Sequence, residues 1–176
     1  QVTPPYSLFR DKNTDYSAMT EAERYRWIEY HKWTFDASIY TRLIGDLVLM
    51  TRANFGYLGY YSRKLGYSPF EGFMLGGDGM SGYNTYGADI VSQRGYGNYS
   101  LTPTINDAYA GRVYDRFTVE LRYPVILQPQ STIYALLFLE GGNCWSDMRD
   151  FNPFSIKRAA GVGVRVFLPM IGLLGI

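Results

Sequence analysis

Three side chains stand out as able to do chemistry together: Arg94, Glu120 and Glu140. Each carboxylate sits on a stretch that reads as a β-strand, and a short turn joins the two stretches. Two carboxylates on neighbouring strands fit either an acid–base pair or a counter-charge for a buried cation, since burying such groups alone is costly. Arg94 is a candidate for that cation. It stands in Ser92-Gln93-Arg94-Gly95-Tyr96-Gly97, where the flanking glycines let the backbone turn tightly. A guanidinium can bridge two carboxylates with its five donors, which an ammonium cannot copy. Arg94 is therefore expected to fold back with its loop and contact both Glu120 and Glu140.

The other reactive residue types are scarce. The single His31 leaves no second imidazole for a triad and argues against a His-rich metal site; it precedes a strand and reads as a surface or interface residue. The single Cys144 excludes an internal disulfide and a Cys-based zinc cluster, and beside Trp145 it reads as an inert packing residue. Gly77-Asp78-Gly79-Met80-Ser81-Gly82 matches a dinucleotide-binding pattern, but Tyr83-Asn84-Thr85-Tyr86-Gly87 opens no helix, so that reading fails. Asn98-Tyr99-Ser100 matches a glycosylation acceptor, relevant only in a eukaryotic secretory protein. No cofactor or metal is expected.

The elements that position these residues are strands. The 176 residues suit one domain, and a net charge of +1 gives no electrostatic case for nucleic acid. Aromatic residues make up 17%, with 17 tyrosines, a residue of membrane and protein interfaces alike. No apolar run approaches the ~20 residues of a membrane helix. The chain opens on Gln1-Val2-Thr3-Pro4-Pro5, with no initiator methionine and no signal peptide, and reads as a piece of a longer or processed chain.

Residues 1–9 look like the end of a strand, with Pro4-Pro5 at its edge or exit. Thr20-Glu21-Ala22-Glu23 is a capping box, so a short helix over residues 20–29 is expected inside a polar loop. The period then changes to two. Trp33, Phe35, Ala37 and Ile39 alternate with Thr34, Asp36, Ser38 and Tyr40, and Arg42 continues the polar set. Ile44-Gly45-Asp46 turns the chain. Leu47, Leu49, Ala53, Phe55 and Tyr57 form the next apolar face, opposite Arg52, Asn54 and Gly56, with Val48 and Met50 breaking the pattern.

From about residue 58 to 115 no strand or helix pattern runs, yet the interval is rich in Tyr and Phe. It reads as an ordered loop that packs on something rather than as disorder. Phe117, Val119, Leu121 and Tyr123 then alternate with Thr118, Glu120 and Arg122, and Pro124 closes that strand. Gln128-Pro129-Gln130-Ser131 is a short turn. Residues 132–145 form a strand of poor alternation, since Tyr134, Leu136 and Phe138 share a face with Glu140. A medium loop leads to a strand over residues 156–167, with Ala160, Val162, Val164 and Val166 against Ala159, Gly161, Gly163 and Arg165. Residues 168–172 turn again, and residues 173–176 begin another strand.

The strands run to about 10–12 residues, and long and short connections alternate. Both features fit a transmembrane barrel, whose strands span ~9–11 residues between long outer loops and short inner turns. The apolar faces (Trp33, Phe35, Ala37, Ile39, Leu49, Phe55, Phe117, Val119, Leu121, Val162, Val164) would meet lipid. Asp36, Arg42, Arg52, Glu120, Arg122 and Arg165 would line the lumen. The smallest such barrels have about eight strands, and an open sheet edge cannot sit in hydrocarbon. The expected fold is therefore an all-β, antiparallel transmembrane β-barrel fragment.

The motifs, in order, resemble the BamA family of outer-membrane protein assembly factors, and more broadly the superfamily that includes two-partner secretion transporters and the chloroplast import pore. Gln93-Arg94-Gly95-Tyr96 is similar to the family's Val-Arg-Gly-Phe/Tyr loop, with Gln93 in place of Val. Phe73-Met74-Leu75-Gly76-Gly77 resembles its Phe-x-Leu-Gly-Gly segment, and Val119 through Pro124 its Glu strand. Phe138-Leu139-Glu140-Gly141-Gly142-Asn143-Cys144-Trp145 resembles its Phe-x-Asp-x-Gly-x-x-Trp strand, with Glu140 where Asp is typical. Arg158 through Gly172 match its Arg-x-x-x-Gly-x-Gly-x-Arg strand, Gly161, Gly163 and Arg165 in register.

The resemblance implies a fragment of a barrel of roughly sixteen strands, with residues 1–176 a C-terminal portion. Residues 10–31 would form an extracellular loop, and 58–115 the long loop carrying Arg94, Gly95 and Tyr96. It also implies a non-enzymatic machine in the bacterial outer membrane that folds unfolded outer-membrane clients into the lipid bilayer, with accessory lipoproteins of the BAM complex as partners. A related secretion transporter that moves a client through the barrel is the alternative. An outer-membrane enzyme using Glu120 and Glu140 as acid and base is a third reading.

Overall fold

A computed structural model describes residues 1–9, 14–78, 87–128, 131–168 and 172–175 of the chain. After a 3-10 turn at Tyr6–Phe9 and a one-turn helix α1 (Glu21–Arg24), everything regular among the described residues is strand apart from a second 3-10 turn at Met148–Asp150. The strands are β1 (His31–Arg42), β2 (Val48–Gly59), β3 (Glu71–Leu75), β4 (Gly87–Val91), β5 (Thr104–Ile105), β6 (Ala108–Tyr109), β7 (Val113–Gln128), β8 (Ser131–Trp145), β9 (Lys157–Leu168) and β10 (Gly172–Gly175).

One sheet in the order β1-β2-β7-β8-β9-β10, antiparallel throughout, forms the frame. Its five long strands run 12, 12, 16, 15 and 12 residues, enough for tilted strands to cross a bilayer. The fold is thus a fragment of a β-barrel, and the barrel is not closed among the described residues.

Period-two alternation separates the faces as the sequence requires. Phe35 lies opposite Phe55, and Asp36 one position on pairs with Arg52 across the same two strands on the other face. One face is bare and apolar: Trp33, Phe35, Ile39, Val119, Leu137, Leu139 and Val162 are all exposed on it. The opposite face carries Lys32, Asp36, Arg52, Glu120, Arg122, Glu140 and Arg165, and the segment between β2 and β7 folds over its loop-rich end. A core of Leu58, Phe73, Leu75, Tyr114 and Cys144 forms where that segment meets the sheet, so Cys144 is a packing residue.

Several local expectations are corrected. Residues 1–9 contribute only a bridge from Val2 to His31 before turning into 3-10 geometry, consistent with the missing N–H groups of Pro4 and Pro5. The capping box of Thr20 and Glu23 is present, but its helix stops after one turn at Tyr25. Pro124 does not close its strand. β7 runs on to Gln128 through a register shift between Pro124 and Ile126, the irregularity at which a strand tolerates proline.

The interval from 58 to 115 is not without pattern either. It holds the parallel pair β3–β4 and the small hairpin β5–β6. In β3 the consecutive residues Gly72 and Phe73 are both buried, and strands buried on both faces show no alternation to read. The poor alternation of β8 has a related cause: Leu136 sits on the polar face but is buried there. Parts of five expectations lie outside the described residues: the start of the polar loop at 10–13, the glycine pattern and the residues that follow it at 79–86, the turn at 129–130, the turn at 169–171 and the end of the last strand at 176.

Candidate functional site

The Arg94 loop is shaped by glycines. Gly76 and Gly77 have φ of +124° and +86°, a region that glycine alone enters cheaply. Gln93 N–H donates to the Gly77 carbonyl at 2.9 Å, and Gly77 N–H donates to the Tyr96 carbonyl at 3.1 Å. At the tip, Gly95 has φ +84°, and a side chain there would place Cβ 2.9 Å from the Ala159 methyl of β9. The tip therefore presses flat on the sheet.

This seating brings Arg94, Glu120 and Glu140 together. Arg94 Nε donates to Glu140 Oε1 at 2.9 Å, and Nη2 donates to Glu140 Oε1 and Glu120 Oε1 at 2.6 Å each. Its backbone N–H donates to Glu140 Oε2 at 2.9 Å. The guanidinium lies 3.7 Å above the Phe138 ring, a cation–π contact. Phe138 in turn lies over Gly161, where any Cβ would come within 2.7 Å of the ring.

The wall supplies three more cations. Arg116 Nη2 donates to Glu140 Oε1 at 2.8 Å, Arg122 donates twice to Glu120 Oε2, and Arg165 Nη2 donates to Glu120 Oε1 at 3.0 Å. The two carboxylate side chains are 1% and 0% exposed, whereas that of Arg94 is 26% exposed. Burial by itself would lower the Arg94 pKa, but hydrogen bonds and charge from Glu140 and then Glu120 raise it overall. The guanidinium is thus held firmly in its charged form.

Residues beside Arg94 fix the loop to β9. The fully buried Gln93 donates its amide Nε2–H to the Lys157 carbonyl at 2.7 Å, and the Tyr96 hydroxyl donates to the Arg158 carbonyl at 2.9 Å. A separate clamp lies nearer β1. The buried Lys32 Nζ sits 3.0 Å from both Glu71 of β3 and Asp89 of β4 and donates to the Gly87 carbonyl at 3.1 Å. Lys32, Arg116 and the platform role of Phe138 escaped sequence reasoning. For Lys32 and Arg116 the signal was present: both continue the polar parity of strands whose starts were placed at Trp33 and Phe117. His31 packs on Tyr57 and Tyr61 and accepts from the Trp33 indole N–H, away from these clusters.

Residues 19–176 match the family model of the Omp85 superfamily domain. The chain belongs to the Omp85 superfamily. Members are outer-membrane proteins in bacteria that act as assembly or transport factors rather than enzymes, on unfolded outer-membrane clients and in contact with the membrane. Membership thus gives this Omp85 chain a part in outer-membrane protein insertion or secretion. A search of curated proteins finds no match.

Proposed function

We propose that this Omp85 chain is the C-terminal portion of the barrel of a BamA-type assembly factor, which folds β-barrel clients into the outer membrane. In this reading the bare face meets lipid and the covered face lines the lumen. Residues 10–31 lie outside the cell, and residues 58–115 form a loop that dips into the lumen. Accessory lipoproteins are partners of the whole machine.

The observation that carries the reading is the seat of Arg94. One loop cation is shared by carboxylates on adjacent strands β7 and β8. Such a latch stiffens this part of the wall while a weaker seam elsewhere offers strand edges to a client. Glu120 and Glu140 suit this role better than acid–base work. Glu140 Oε1 accepts from Arg94, Arg116 and Thr118, and Glu120 accepts from Arg94, Arg122 and Arg165, so neither carboxylate is free to meet a substrate proton.

The test is to replace Arg94 by Ala in cells that depend on the protein and follow two readouts: the folded fraction of a panel of outer-membrane barrels, and export of any single secreted client. Broad loss of barrel assembly supports the proposal. Loss of one exported client with barrels intact would assign the protein to secretion instead.

A further inference from the structure

The bare face has one exposed charge among the described strand residues, Arg158, and it borders an apolar groove. Register fixes its side. Ala159 faces the Gly95 tip on the covered face, so Arg158, paired across from Gly141, faces the other way. Asp115 is the second charge of that face, but it is 2% exposed. No ion pair among the described residues includes Arg158. A charge on a lipid-facing surface is costly at the bilayer centre and tolerated near the headgroups. Arg158 is the second residue of β9, at the loop-rich end of the sheet, which puts it at headgroup depth.

The groove beside it measures about 390 Å³ and runs between Phe117, Val119, Leu139 and Ala160, with Ile156 at its head. Gly141 makes it: a side chain there would come within 2.8 Å of the Ile156 methyl. The connection between β8 and β9 is folded down onto this face. Phe151 meets Phe55 and Trp145 edge to face, with ring centroids 5.7 and 5.0 Å apart, and Asn143 Nδ2–H donates to the Ser155 carbonyl at 2.7 Å, next to Ile156. The groove therefore has a fixed head, an apolar floor and one cation at its rim.

We propose that this groove holds a membrane lipid with an anionic phosphate headgroup, its acyl chain along Val119, Leu139 and Ala160 and its phosphate on the Arg158 guanidinium. The unpaired cation decides the occupant's charge, and the apolar floor decides that the rest of it is hydrocarbon. The site rests on the proposal that the bare face meets lipid. Because the Tyr96 hydroxyl holds the Arg158 backbone from the other side of the sheet, the lipid would sit directly behind the Arg94 loop.

The intact protein in nanodiscs of mixed phosphatidylcholine and phosphatidylglycerol tests this, with retained lipids counted by native mass spectrometry. Wild type is expected to enrich phosphatidylglycerol about fivefold over the disc composition, the contribution of one cation near a headgroup surface. Arg158→Gln should bring the ratio to parity, while Arg52→Gln on the opposite face should leave it unchanged. Gly141→Leu should reduce retention of both lipids. Absence of enrichment in wild type, or enrichment that survives Arg158→Gln, overturns the site, as does a second copy of the chain held at the groove in place of lipid. Failure of the wild type to insert into discs at all would instead overturn the lipid-facing reading beneath it.

Discussion

Without the Arg94 guanidinium, Glu120 would keep Arg122 and Arg165, Glu140 would keep Arg116, Thr118 and the backbone N–H of residue 94, and the loop tip would lose its guanidinium contacts with β7 and β8. Arg94→Ala is therefore expected to cost about 2 kcal/mol, between an ordinary charged hydrogen bond and a fully buried ion pair. Arg94→Lys should recover only part, because an ammonium cannot reproduce the planar fork. Combined with Glu120→Gln and Glu140→Gln, the losses should fall well short of additive; urea unfolding in detergent measures all three, and strict additivity would break the latch apart into unrelated contacts. Gly95→Ala tests the seat by geometry rather than charge. Its positive φ and the nearby Ala159 methyl should together cost about 1–2 kcal/mol, and a neutral result would mean the tip does not press on β9. At this scale the sequence was informative because parity on a strand can be counted by hand. Glu120 fell on the polar face that way; Glu140, sharing its face with Tyr134, Leu136 and Phe138, did not, and the loop that brings Arg94 to them has no parity to count.

The strands of the frame were legible from alternation, and Pro124 shows where alternation misleads. Proline marks a strand's end only if the ladder needs its N–H, and a bulge removes that need. β3 and β4 were illegible for a different reason: in β3, neighbours on both faces are buried, so composition replaces pattern. Their attachment to the wall depends on Lys32, whose side chain is 2% exposed and faces two carboxylates. Lys32→Met should loosen this parallel pair while sparing the frame. Amide exchange at Glu71–Leu75 is expected to accelerate at least tenfold, the effect of about 1.4 kcal/mol, with β7 and β8 unchanged. Equal acceleration in all of these strands would show that Lys32 supports the whole fold rather than the β3–β4 clamp.

Taken whole, the chain has a turn end and a loop-rich end, and the proposed orientation assigns them to opposite sides of a membrane. Single cysteines at Asp46, between β1 and β2, and Asn152, between β8 and β9, read this out in cells made free of the buried Cys144. A membrane-impermeant maleimide should label Asp46→Cys only after the cells are opened, and Asn152→Cys in intact cells. The reverse pattern would invert the molecule. One further consequence follows from where the long loop is tied down. Its fastenings lie on β1 at Lys32, β7 at Glu120, β8 at Glu140 and β9 at Lys157, across separations of 55, 26, 46 and 64 residues. Contacts of such range form late, because chain entropy is lost before they give anything back. They also exist together only if every one of those strands is in register, since a slip of one residue turns Glu120 or Glu140 to the wrong face. A misaligned sheet is thus expected to leave the loop unseated and open to proteases, and only a sheet in register to seat it.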